Sequence, residues 1–143
     1  MAFVSSIDVI GSGFTAQQQR LDVISENIVN MNTTRTENGE GPYRRKVVTF
    51  QAADSGLRFR SVLAHRAGLA TRGGWVNEAK GGVIVSEVGE DPSDFKLKYD
   101  PGDPDANEGG YVELPNVDLV KKITDVMAAS RAFSANVTAF NLL

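Results

Sequence analysis

Asp103, Asp105 and Asn107 stand at alternate positions, as the first ligands of a calcium loop do. That loop also needs glycine at its sixth position for the sharp turn and a bidentate glutamate at its twelfth. Here those positions hold Glu108 and Leu114, and Pro101 and Pro104 favour an ordinary hairpin loop instead. His65 is the only histidine, so a metal site would lack a second imidazole, and no nucleophile motif accompanies it. Arg44, Arg45 and Lys46 have the charge to reach a phosphate. On a chain of net charge -3, three consecutive bases read better as a salt-bridged strand face. The glycine pairs at 73–74 and 81–82 lack the strand, spacing and following helix of a phosphate loop. Trp75, between Gly74 and Val76, reads as a packing anchor. The chain has no cysteine, which excludes disulfides and thiolate metal sites. These residues predict no enzyme, no cofactor, no metal and no small-molecule substrate. The acidic balance, with a pI near 5.1, speaks against nucleic acid as a partner.

The stronger pattern is apolar. Phe3, Ile7, Ile10, Phe14, Gln17, Leu21, Ile24, Ile28 and Met31 are spaced alternately by four and three residues, and eight of the nine are apolar. Leu119, Ile123, Val126, Ser130, Phe133, Val137 and Phe140 repeat the device at the far end. Such spacing keeps side chains on one stripe of a supercoiling helix. A second stripe of Ala2, Val9, Ala16 and Val23 widens the first and predicts contact with more than one neighbour. Gly11 and Gly13 interrupt it, which predicts either a bend or a close-passing backbone.

Ser5, with Asp8 three residues on, predicts the start of the first helix, and the asparagine-rich stretch after Asn27 predicts its end near Met31. Residues 43–50, 83–88, 95–99 and 111–114 read as strands, the last two as a hairpin closed by the turn-rich loop 100–110. Leu57, Phe59 and Val62 have strand character, but the stretch 52–82 is too punctuated by glycine to assign. Pro115 ends the last strand, and Asn116 is the expected cap of the final helix.

The expected fold class is α+β. Long N- and C-terminal helices pair as a coiled-coil-like hairpin, from residues 1–33 and 116–143, with a small β-rich module at 34–115. One partner helix buries too little apolar surface to offset the ordering of both helices. The seam residues are therefore expected to be covered by adjoining subunits. The small residues Ala128, Ala129, Ser130, Ala132, Ser134 and Ala135 suit close approach on several sides.

Residues 22–34, with Asn27, Ile28, Asn30, Asn32 and Thr33 at their centre, resemble the N-terminal signature of bacterial flagellar axial proteins. Tyr99-Asp100-Pro101-Gly102-Asp103-Pro104-Asp105-Ala106, Leu114-Pro115-Asn116-Val117 and Ala129-Ser130-Arg131-Ala132-Phe133 resemble the proximal rod branch of that family. The resemblance implies a building block of the basal-body rod, the periplasmic drive shaft that carries torque to the hook. It implies other rod proteins, further copies, basal-body ring components and the export apparatus as partners. It also implies export through the flagellar type III route, in keeping with the absence of a basic-then-apolar signal at the N-terminus. Family members usually continue the last helix for several turns past the position of Leu143, so the C-terminal contact surface is expected to be incomplete in these residues. A distal rod or hook-type subunit is the alternative within the family, and a calcium-binding module the alternative outside it.

Overall fold

The computed structural model describes residues 2–39, 41–53 and 81–142, with the side chains of residues 2–5 left aside. Helix α1 runs over Ala2–Val29 and helix α2 over Leu119–Asn141. Between them lie strands β1 (Lys46–Ala52), β2 (Val83–Glu90), β3 (Lys96–Tyr99) and β4 (Tyr111–Leu114). They form two separate antiparallel pairs, β1 with β2 and β3 with β4. The expected α+β class, with paired terminal helices and a small β-rich centre, is the architecture observed. His65, Trp75 and the tentative strand residues Leu57, Phe59 and Val62 lie outside the described residues.

Strand β1 lies at 46–52 where 43–50 was expected, because residues 43–45 are taken up by bonds to Thr33, Asn27 and Asn116; β2 runs two residues longer than expected and β3 starts one later. Three helix ends also differ from the sequence reading, each for a local reason. Helix α1 starts at Ala2, because nothing in residues 2–4 opposes helix and the turn runs on past Ser5. It ends at Val29, and residues 30–32 continue as a turn in which Thr33 N–H bonds back to Asn30 C=O at 3.1 Å. Asp118, not Asn116, caps α2: its carboxylate accepts from Val120 N–H at 3.0 Å and Lys121 N–H at 3.4 Å. The acceptor placed two residues before the first free amide wins over one placed four before it.

The β1–β2 hairpin begins level with the C-terminal end of α1 and runs back along it. Lys46 pairs with Glu90 and Ala52 with Val83, and a bulge between Thr49 and Phe50 leaves Ser86 unpaired on β2. Ser86 Oγ donates to Thr49 C=O at 3.1 Å, so the extra residue is tied in place. At the distal end Gly82, with φ +145°, lies against α1: a Cβ there would stand 2.5 Å from Ser12 Oγ. Ser12 Oγ bonds to Val9 C=O at 2.7 Å and accepts Val83 N–H at 3.0 Å. This close backbone meets Ser12 and Val9, not the glycines: Gly11 has nothing within 4 Å of a Cβ position, and Gly13 faces a side chain of α2.

On its other side α1 packs against α2. Phe14 and Phe133 meet edge to face, with centroids 4.9 Å apart. A Cβ on Gly13 would stand 3.0 Å from Asn136 Nδ2, so the glycine lets the helices close. Helix α1 is thus held on two sides, whereas among the described elements α2 packs only against α1.

Candidate assembly surface

Two asparagines fix the helices to the β module. Asn27, 1% exposed, donates to Lys46 C=O at 2.8 Å and accepts Lys46 N–H at 2.8 Å and the Tyr43 hydroxyl at 3.0 Å. Asn116 accepts Arg45 N–H at 2.8 Å and donates to Asp91 C=O, Ser93 C=O and Ser93 Oγ at 3.0–3.2 Å. The segment 43–46 is clamped from both sides by residues that stand where each helix meets the module. Burial, with Glu26 and Glu90 nearby, pushes the Tyr43 hydroxyl up to about 12.

The remaining motif residues serve the turn. Asn30 Nδ2 caps Glu26 C=O at 3.0 Å, and its oxygen accepts the Thr33 hydroxyl at 3.1 Å. Thr33 C=O accepts Tyr43 N–H at 3.0 Å, which brings the chain back toward α1. Ile28 is half-buried and Asn32 exposed.

The basic triplet is spent internally. Arg44 donates to Asp91 and Ser93 carbonyls at 3.1 and 3.2 Å and lies 4.4 Å over the Phe95 ring. Arg45 pairs with Asp91 and Lys46 with Glu26. The acidic loop is engaged as well. Asp105 holds Arg35 and, at 2.8 Å, the Thr34 hydroxyl, while Asn107 Oδ1 accepts Gly109 N–H at 2.9 Å and Tyr111 N–H at 3.0 Å. Asp103 Oδ1 accepts Asp105 N–H at 2.9 Å. These groups close a hairpin loop, and the calcium reading gains no support from them.

The two seams sit in different settings. On α1, Ile7, Ile10, Phe14, Leu21, Ile28 and Met31 are half-buried and Ile24 is buried. On α2, Val126 and Phe133 turn inward, but Leu119, Ile123, Val137 and Phe140 remain exposed, Ile123 and Phe140 to 49% each. The residues that face α1 are Lys122, Val126, Ala129, Phe133 and Asn136, again at four-three spacing and centred on Ala129, which is 0% exposed. Rotating the helix onto its small residues lets α1 approach closely and leaves the large apolar ones outside. Val120 and Met127 extend that outward face. Sequence periodicity found the apolar stripe. It missed the face built on alanine and asparagine, whose only advance signal was the run of small residues after Met127.

A profile described as "Flagella basal body rod protein" matches residues 7–35, and one described as "Flagellar basal body rod FlgEFG protein C-terminal" matches residues 108–141. The matched stretches carry α1 from Ile7 onward, the whole of α2 and both clamping asparagines. The chain is 46% identical to the flagellar basal-body rod protein FlgC of Bacillus subtilis (strain 168), over 99% of this chain and 91% of the relative. It is 41% identical to that of Borreliella burgdorferi, over 99% of this chain and 90% of the relative. The same coverage holds, at 38% identity, for that of Escherichia coli O157:H7. With nearly the whole chain aligned at these identities, it belongs to the FlgC family of flagellar basal-body rod proteins.

Proposed function

We propose that this chain is a structural subunit of the basal-body rod, joined to its neighbours through the outward faces of its terminal helices. Its role is to bear load rather than to catalyse. The observation that carries the assembly reading is the apolar face of α2: Leu119, Val120, Ile123, Met127 and Val137 are exposed on a helix that packs only against α1 among the described elements, and Phe140, next in line on the α1-facing stripe, is left exposed as well. A face of that size on a soluble subunit favours cover by another chain. Other rod proteins and further copies are the partners that provide it. In the finer reading, the rod is the proximal, periplasmic section of the drive shaft. The subunit reaches it unfolded through the type III export apparatus without a cleavable signal, and meets basal-body ring components there. The segments 1–33 and 116–143 form the rod-core unit, and 34–115 is the module that it carries. Within the family motif, Asn27, Asn30 and Thr33 fix the angle between the two.

Charges placed on the outward stripe test the assembly. Ile123→Asp and Val137→Asp are expected to leave the purified chain folded by circular dichroism and to abolish its recovery in isolated basal bodies, with loss of swimming. Full incorporation of both variants would refute the reading.

A further inference from the structure

A cleft of about 200 Å³ opens between α1, β1 and α2. Its apolar wall is Val23, Ile24, Val47, Val48 and Phe50, and Arg20, Lys46, Lys122 and Asp125 bring its charge. Lys122 is buried and bonded to Asp125 at 2.7 Å, and Lys46 is paired with Glu26. Arg20, half-buried in the wall, carries no ion pair among the described residues. A guanidinium beside greasy walls, with no hydrogen bond or ion pair among the described residues, fits a carboxylate. The cleft also adjoins the outward stripe of α2, since Lys122 lies between Leu119 and Ile123 in sequence.

The same chain carries a second surface. It lies on the β3–β4 hairpin. There Leu97 pairs with Glu113 and Tyr99 with Tyr111 across β3–β4. Pairs directly opposite and residues two apart share a face. Leu97, Tyr99, Tyr111 and Glu113 therefore form one exposed face, with Tyr99 and Tyr111 edge to face at 5.2 Å. Glu113 has no ion pair among the described residues.

Resting on the rod reading above, we propose that this β3–β4 face of one copy docks at the α1–β1–α2 cleft of the next, with Glu113 against Arg20. The two surfaces are different parts of one chain, so the contact is heterologous. It adds copies head to tail and does not close on a pair. The Arg20–Glu113 pair sets the register, and the apolar wall of the cleft meets Leu97, Tyr99 and Tyr111.

The absence of cysteine gives a clean test. A chain carrying both Arg20→Cys and Glu113→Cys, recovered in basal bodies and treated with a bis-maleimide long enough to span an arginine–glutamate pair, which a direct disulfide is too short to do, is expected to give a ladder of covalent multimers. Each single variant is expected to give none. Incorporation without the ladder overturns the contact and leaves the rod reading standing, because recovery in basal bodies reports on that separately. If the double cysteine variant is not incorporated, charge exchange decides. Arg20→Glu and Glu113→Arg each reduce incorporation, and the two together restore it; failure of either part overturns the proposal.

Discussion

Asn27 offers a donor and an acceptor from one planar group and uses both on the backbone of Lys46, while its oxygen also accepts the Tyr43 hydroxyl. An aliphatic replacement strands all three partners in a buried site, where each unpaired group costs about 1–3 kcal/mol. Asn27→Leu is therefore expected to lower stability by roughly 3 kcal/mol or more in urea unfolding, and Asn32→Ala, exposed, by less than about 0.5 kcal/mol. Tyr43 gives a pH signature. Its hydroxyl is held up to about 12 in the folded chain against an ordinary value near 10. Its contribution is complete below pH 10 and is lost as pH rises through 12, since the unfolded chain ionises first. The stability of Tyr43→Phe should decline less steeply than that of the parent chain across this window. Asp118 works in the opposite direction. Amide hydrogen bonds, that of Lys121 foremost, hold its carboxyl below the usual value, so the α2 cap is present above that value and is released as pH falls through the lowered one. Asp118→Asn, which keeps the acceptor without the charge, should remove this pH dependence from the exchange of the Val120 and Lys121 amides.

At the scale of elements, α1 is the spine because small residues on two of its faces admit close neighbours. Ser12 and Gly82 bring β2 in on one side, and Gly13 and Asn136 bring α2 in on the other. Gly82→Ala combines a left-handed backbone, at φ +145°, with a Cβ 2.5 Å from a hydroxyl already bonded to Val9 and Val83. A loss of about 1–3 kcal/mol in urea unfolding is expected. Ala129→Leu tests the helix pair: with Ala129 fully covered, the added carbons must push α2 away, at a cost of about 1–3 kcal/mol. On the same helix, Ile123→Asp should be tolerated in the isolated chain, so the two substitutions separate folding from assembly.

For the whole molecule, the asymmetry between the helices has a dynamic consequence. Helix α1 is braced by α2 and by the β1–β2 hairpin, while α2 has one neighbour among the described elements. Local opening is easiest where few apolar contacts hold an element. In the dilute chain, α2 amides beyond Ala129 are expected to exchange faster than those around Asn27 and β1, and to become protected in assembled basal bodies. Equal protection of α2 in both states would show that the helix does not depend on its neighbours.

The residues alone determined the element order, since each signal is local. Heptad spacing marks both helices, β-branched runs mark β1 and β2, and the Asp100–Gly110 turn residues close β3–β4. The two apolar seams pointed to an assembled structure, and the Asn27–Thr33 signature pointed to the axial family. What the fold decided is which way each helix turns. Periodicity reports that an apolar stripe exists, but the closest packing went to Gly13, Ala129 and Asn136, which no hydrophobic count selects. Likewise Asn116, a plausible cap by position, became a clamp only once Arg45, Asp91 and Ser93 were brought around it. Such partners lie 23 to 71 residues apart in sequence, and only the folded chain makes them neighbours.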